Sequence, residues 1–301
     1  MQVAALDIGS NSFNLLIANT TDSNFKQIAR VKQKVQLGAG LDADNNLSQQ
    51  AIERGMACLR DFLPILNKHG VGKLYCAATN ALRLANNRKE FIYAAETLLM
   101  QPIEIISGER EAQYIYQAVQ HEFNFSETGL VIDIGGGSTE FAFGSGATVL
   151  ADNCYSVQAG CVSYSNHYFA DGKIYPENMS AAVVSCRHEL ESIGQSFKTA
   201  KAKHILGTSG SVQSIAIVLQ EVLGSDVSLI TLTDLETLMV RLTDIGDVSA
   251  TRFQSLDENR LKILPAGVCI LTAIMRYLEI QQLTVAQAAL CEGLLLSHSN
   301  N

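Results

Sequence analysis

The sequence predicts an α/β protein of two related domains, each with a mixed sheet flanked by helices, facing each other across a cleft. Three observations carry this. An Asp-Ile-Gly turn between two apolar strands occurs twice, in "VAALDIGSNSFNLLIA" from Val3 and in "LVIDIGGGSTEFAF" from Leu130. After residue 70, short apolar runs alternate with helical periodicity, the pattern of parallel strands joined by helical crossovers. The 301 residues, 47% apolar and 17% charged, are enough for two ordinary cores.

Taken in order, strands are expected near 3–7, 13–20 and 26–36, followed by a long helix near 48–68. A strand near 73–78, a helix near 88–99, a strand at 102–106 and a helix near 109–122 complete the first unit. "FNFSETG" (123–129) is polar and ends in glycine, so the boundary is placed there, giving domains over 1–124 and 125–284. A helix near 285–301 is a candidate to pack back onto the first domain. The second unit restarts with strands at 130–134, 139–143 and 147–155. Helices near 177–200 and 210–223 flank a short strand at 204–207. The last third reads as mostly helical, with a buried helix starting near Pro265, since proline suits a first helical turn.

Composition removes several function classes. The formal charge of −8, with no lysine- or arginine-rich run, argues against a nucleic-acid partner. It leaves a small phosphate-bearing ligand open, because surface charges are screened over about 8 Å. The longest apolar run, Ile263 to Met275, is interrupted by Pro265 and is too short for a bilayer, so no membrane partner is expected. "MQVAALDIGS" has no basic leader and runs straight into a strand pattern, so no secretory signal is expected. Cys58, Cys76, Cys154, Cys161, Cys186, Cys269 and Cys291 form no CxxC pair, which reads as reduced thiols in a cytoplasmic protein without zinc.

The duplicated turns carry the candidate chemistry. Gly135, Gly136 and Gly137 can take positive φ and leave their amides open to an anion, with Ser138 and Thr139 adding hydroxyls. Gly9, Ser10, Asn11 and Ser12 can form a matching turn opposite. Asp7 and Asp133 would repel a phosphate unless Mg²⁺ lay between them and it. Backbone reasons alone also explain an Asp-Gly hairpin, and only the duplication argues otherwise. Glu111, in "ISGEREAQYIYQAV", can take a proton from an attacking water, yet acids also favour a helix start through the macrodipole. Arg83 in "AATNALRLA" suits a phosphate fork or a surface ion pair. In "ILGTSGSVQSIA", Gly207, Ser209 and Gly210 open a helix whose amides can meet phosphate, while tight packing explains the glycines equally.

In order, "DIGSNSF", "GLDADNNLSQQAIERG", "ATNALR", "ISGEREA", "VIDIGGGSTEF", "GCVSY", "GTSGSV" and "LPAG" resemble the exopolyphosphatase / guanosine pentaphosphate phosphohydrolase family, over nearly the whole chain. That family belongs to the actin-like and sugar-kinase ATPase superfamily. The resemblance implies two ribonuclease H-like domains of the actin-like ATPase type, with the active site in the interdomain cleft. It implies Glu111 as the catalytic carboxylate, with Glu140 a second catalytic acid that also holds Mg²⁺ beside Asp133. Arg83 matches a phosphate-contacting arginine, and the turns match phosphate-binding loops. The implied reaction is Mg²⁺-dependent removal of the terminal phosphate of polyphosphate or pppGpp, in a chain expected to include homodimers among its assemblies. The chain departs from the family at Arg110, Gln36 and Cys291, where an acid, a basic residue and an arginine are frequent. Two alternatives stand beside it: a non-catalytic sensor of (p)ppGpp or polyphosphate, and an ATP-dependent small-molecule kinase of the same superfamily.

Overall fold

The computed structural model describes residues 2–21, 24–193 and 202–299. In the first sheet, β1 (Gln2–Ile8), β2 (Ser12–Thr21) and β3 (Asn24–Lys34) form an antiparallel meander. β4 (Lys73–Ala78) and β5 (Ile103–Ile105) then add in parallel, in the order β3-β2-β1-β4-β5. The second sheet repeats that order. β6 (Thr128–Ile134), β7 (Thr139–Ser145) and β8 (Thr148–Val157) are its meander, and β9 (His204–Thr208) and β11 (Gln282–Val285) its parallel additions. One extra antiparallel strand, β10 (Leu229–Thr231), closes the edge. This is the duplicated ribonuclease H-like architecture of the actin-like fold.

The helices follow from amphipathic spacing and caps. α1 (Gln49–Lys68) starts where the Ser48 side chain accepts from the Ala51 amide, and it buries Ala51, Ile52, Gly55, Cys58, Leu59, Phe62 and Leu66, one helical face. α2 (Asn80–Leu84) and α3 (Arg88–Leu99) lie between β4 and β5. α4 (Gly108–Phe123) is capped by Ser107, whose side chain accepts from the Arg110 amide. α5 (Cys161–Tyr168), α6 (Pro176–Leu190), α7 (Ser209–Leu223), α8 (Leu232–Ile245) and α9 (Glu258–Tyr277) belong to the second unit, and α10 (Leu290–Ser299) ends the described chain.

Each sheet buries both faces, which is why its central strands read as unbroken apolar runs. Along β1, Ala4, Leu6 and Ile8 face α1 and α3, whereas Val3 and Ala5 face the opposite way. There they meet Ala112, Ile115 and Val119 of α4, Leu290, Leu294 and Leu295 of α10, and Val131, Ala142 and Leu206 of the second sheet. α4 and α10 therefore lie between the two sheets, and burying each leucine of α10 contributes roughly 1.5–3 kcal/mol.

Three sequence expectations change. β10 and β11 lie in the stretch expected to be helical; at three and four residues they are too short to show a period of two. α9 starts at Glu258 rather than near Pro265, because the Asp257 carboxylate accepts from the Asn259 and Arg260 amides and starts the helix two turns earlier. α6 stops at Leu190, and the 194–200 part of the helix expected there lies outside the described residues. No helix among the described residues is long and apolar enough to cross a membrane, and all seven cysteines are free and buried.

Candidate active site

The two turns are built alike. A Cβ on Gly9 would stand 2.8 Å from the Ser12 carbonyl oxygen, and one on Gly135 would stand 3.0 Å from that of Ser138. None of the turn glycines has positive φ, so close approach rather than left-handed backbone is what requires glycine here. The tips also meet each other: a Cβ on Gly136 would lie 3.2 Å from the Asn11 Cβ and 3.3 Å from the Ser10 Cβ.

Their carbonyls are turned into the protein. The Ser10 oxygen accepts from the Gly38 amide at 2.8 Å and the Asn11 oxygen from Val35 at 3.0 Å. Across the cleft the Gly135 oxygen accepts from Cys161 at 3.0 Å and the Gly136 oxygen from Val162 at 2.8 Å. A trans peptide points its N–H opposite its carbonyl, so the amides of Asn11, Gly136 and Gly137 aim away from these partners. None of the three has a backbone acceptor among the described residues. Free amides from two facing turns form a concave site for an anion.

Four carboxylates surround the turns. Cross-strand register pairs Asp7 with Asn14 and Asp133 with Glu140, so the second hairpin carries an acid where the first carries an amide. The Asn14 side chain donates to Asp7 at 2.7 Å, and the Ser156 hydroxyl donates to Glu140 Oε1 at 2.7 Å. Glu111, in the first turn of α4, accepts from Arg83 Nη1 at 3.1 Å, and Arg83 Nη2 lies 3.9 Å from Glu140. Burial raises all four pKa values: Asp7 to about 6 and Asp133 to about 8, the latter helped by the charges of Glu140 and Asp7. Glu111 is pushed well above the usual carboxylate range by burial and then by Glu140, and Glu140 is raised by burial. The site thus crowds more buried carboxyl groups together than Arg83, Lys32 and Arg30 can hold ionised.

A basic wall stands opposite. Arg30, Lys32 and Lys34 project from one face of β3, and Arg260 from the first turn of α9, into a cavity of about 850 Å³. Arg260 Nη1 donates to the Gly210 carbonyl at 3.1 Å and to Ser214 Oγ at 2.6 Å. A Cβ on Gly210 would be 3.1 Å from Lys32 Nζ, so cations of both domains converge over this glycine. Burial and the Arg260 charge lower the Lys32 pKa. Arg30 is ion-paired with Glu292 of α10. None of these cations was singled out from sequence, although a basic residue at every second position of a strand signals one charged face.

Of the candidates from sequence, the turns 9–12 and 135–138, with Asp7, Glu111, Asp133, Ser209 and Gly210, line the cavity. Four do not. Arg83 lies behind the acids, bound to Glu111 and to the Ile106 carbonyl at 2.9 Å. Glu140, 2% exposed, faces Ser156. The Thr139 hydroxyl is committed to the Ala159 carbonyl. Gly207 leaves room for Leu283 and Val212, whose side chains would meet its Cβ at 2.9 and 3.1 Å; packing explains this glycine. Ser209, at φ 87°, lines the cavity but spends its hydroxyl on the Ile134 carbonyl at 2.7 Å.

The Arg110 and Gln36 side chains lie apart from the acids, whereas Cys291 lines the cavity beside Asp7. Arg110 stacks on Tyr114, 4.3 Å from the ring centre, and donates to Gln113. The Cys291 thiol, pushed up to about 12 by burial, sits against the Asn14 carbonyl at 3.4 Å. Gln36 is exposed, with its carbonyl accepting from Arg54.

Comparison with known proteins agrees with this architecture. The model of the Ppx/GppA phosphatase family matches residues 16–301. Two structures of the Ppx/GppA enzyme of Aquifex aeolicus, each 26% identical, superpose with TM-scores of 0.80 and 0.81, over 99% of this chain and 99% and 97% of theirs. An exopolyphosphatase of Cytophaga hutchinsonii, 22% identical, shares the fold with a TM-score of 0.89 over 100% of this chain and 98% of its own. With facing turns of free amides and buried acids at the junction of its two domains, this chain belongs to the Ppx/GppA phosphatase family and is a phosphohydrolase.

Proposed function

We propose that this chain removes the terminal phosphate from inorganic polyphosphate or pppGpp, with Mg²⁺ bound alongside the substrate. The observation that carries this reading is the pair of amide-presenting turns beneath a basic wall, a shape suited to a chain of phosphates rather than a single one. The amides of Asn11, Gly136 and Gly137 hold phosphoryl oxygens and oppose the charge that develops on the transferred group. Lys32 and Arg260 take the phosphates farther along the chain.

Glu111 is the base. It accepts a proton from the water whose oxygen bonds to the terminal phosphorus, as the bridging P–O bond breaks and its electrons stay with the shortened substrate. Arg83 fixes the carboxylate's direction through its 3.1 Å bond and offsets part of the burial and the Glu140 charge that favour the protonated form.

No three His, Cys, Asp or Glu side chains among the described residues are grouped to cage a metal. That donor set does not suit a structural ion. It does suit Mg²⁺, which keeps several waters and binds through one or two carboxylates plus substrate oxygens. Asp133 and Asp7, with Glu140 behind, would hold it, and the ion would neutralise charge on the bridging and terminal oxygens. The raised carboxylate pKa values fit a site awaiting positive charge.

The sensor alternative leans on Arg110 and Cys291; Arg110 is stacked on Tyr114, and Cys291, beside Asp7, leaves the four carboxylates in place. The kinase alternative requires an acceptor alcohol. Incubation with polyphosphate and with pppGpp, in Mg²⁺ and in chelator, separates the readings: phosphate should appear without any acceptor and only with the ion. Glu111→Gln should lower kcat about 10²–10⁴-fold at saturating substrate. Wild-type turnover in that variant would remove Glu111 from its role.

A further inference from the structure

The tip of the second turn is held from two sides. Behind it the second unit packs its own backbone: a Cβ on Gly160 would stand 2.3 Å from the Gly136 carbonyl oxygen. In front stands a side chain of the first unit. A Cβ on Gly137 would lie 2.2 Å from Asn80 Oδ1 and 3.2 Å from Ser10 Oγ, so the tip rests against Asn80 with no room for a methyl group. Asn80 is 4% exposed at the start of α2, and the Ala81 amide beside it donates to Ser10 Oγ at 3.1 Å. α2 is thereby fastened to the first turn while Asn80 touches the second.

Asn80 also reaches past the tip. Its Nδ2 donates to Gln158 Oε1 of the second unit at 3.1 Å. Gln158 directly follows β8, and its own amide donates to the Glu189 carboxylate of α6 at 3.2 Å, which anchors it. The Cys161 and Val162 amides, three and four residues on, hold the Gly135 and Gly136 carbonyls. Gln158 thus lies on the stretch that supports the second turn, as Asn80 lies on the helix tied to the first. Gln158 is exposed and water could satisfy it, so burial does not force its bond to Asn80.

We propose that Asn80 and Gln158 are a positioning pair, a clasp that holds the two turns at the spacing one phosphate chain needs. The consequence for binding rests on the reading that both turns grip one substrate. A substrate that bridges the turns can draw them together without the clasp, but part of its binding energy then goes into closure. Losing the clasp therefore raises KM and leaves kcat at saturation nearly intact, which a loss of packing alone would not do.

Distances between spin labels test the clasp without any substrate. All seven native cysteines are buried, so Gln50→Cys on α1 and Glu177→Cys on α6, both exposed positions, can be labelled selectively. Gln158→Ala and Asn80→Ala should each lengthen or broaden the distance distribution. The double variant should go no further than the larger single effect, because the same bond is lost in each. In assays of phosphate release from polyphosphate and pppGpp, Gln158→Ala should raise KM about 3–10-fold with kcat within about twofold of wild type. A Gln158→Ala distribution identical to wild type overturns the inference, and so does a double variant in which the two effects simply add. A changed distribution with an unchanged KM upholds the clasp and removes the two-turn grip instead.

Discussion

Glu140 shows how much of this site is held by neighbours rather than by the reacting groups. Its carboxylate is aimed by the Ser156 hydroxyl, and Ser156 fits only because residue 108 is glycine: a Cβ there would lie 2.1 Å from the Ser156 Cβ. Ser156→Ala should therefore lower kcat about tenfold with a smaller change in KM, since it leaves Glu140 with Ser138 as its remaining hydroxyl partner without touching the amides that bind phosphate. An unchanged kcat would show that Glu140 needs no such support. The acids also set a pH dependence of stability. Asp133 binds its proton up to about pH 8, against 3.8 for an unperturbed side chain, and Asp7 up to about 6. Between these values the folded chain holds more protons than the unfolded one, so stability is lost as pH rises. In chelator, Tm should fall from about pH 5 to about pH 8, and Mg²⁺ should raise Tm more at the alkaline end. A Tm in chelator that climbs across this window contradicts the buried-acid reading. Asp7 and Asp133 were marked in the sequence by the duplication, and Glu111 by the family resemblance, since its helix position alone explains an acid. The partners of Arg83 and Thr139 were not, because Glu111, Ile106 and Ala159 reach them only through tertiary folding.

The hairpins β1–β2 and β6–β7 were the most readable elements, since a long apolar strand on each side of an Asp-Gly turn leaves little ambiguity in register. Their mutual approach was not readable. It depends on Gly136, whose hydrogen-only side leaves Ser10 and Asn11 in contact range. Gly136→Ala should push the turns apart by a few tenths of an ångström and raise KM several-fold, about 3–10-fold, while the fold is retained. An unaltered KM would mean that the spacing of the turns is not what grips the substrate. The basic face of β3 was written in the alternation of Arg30, Lys32 and Lys34, but an edge strand with charged residues also reads as protection against aggregation. Only the position of Arg260 and Gly210 opposite shows that this face looks into a cavity.

The two units are joined at the end of α4 and again at 286–289, where the chain leaves β11 for α10. Glu122 ties these crossings together: its carboxylate accepts from the Gln287 and Ala288 amides at 3.0 and 2.8 Å. Both links between the units are thus bound to one side chain. The same arrangement makes the first sheet dependent on the last helix. Val3, Ala5, Leu16 and Ala18 are covered by Leu290, Leu294 and Leu295, whose codons are read after those of both sheets. A nascent chain can finish its second core while the earlier-made sheet still waits with one oily side bare. The ribosome delivers this sheet long before its lining, so of the two units the one synthesised earlier becomes whole later.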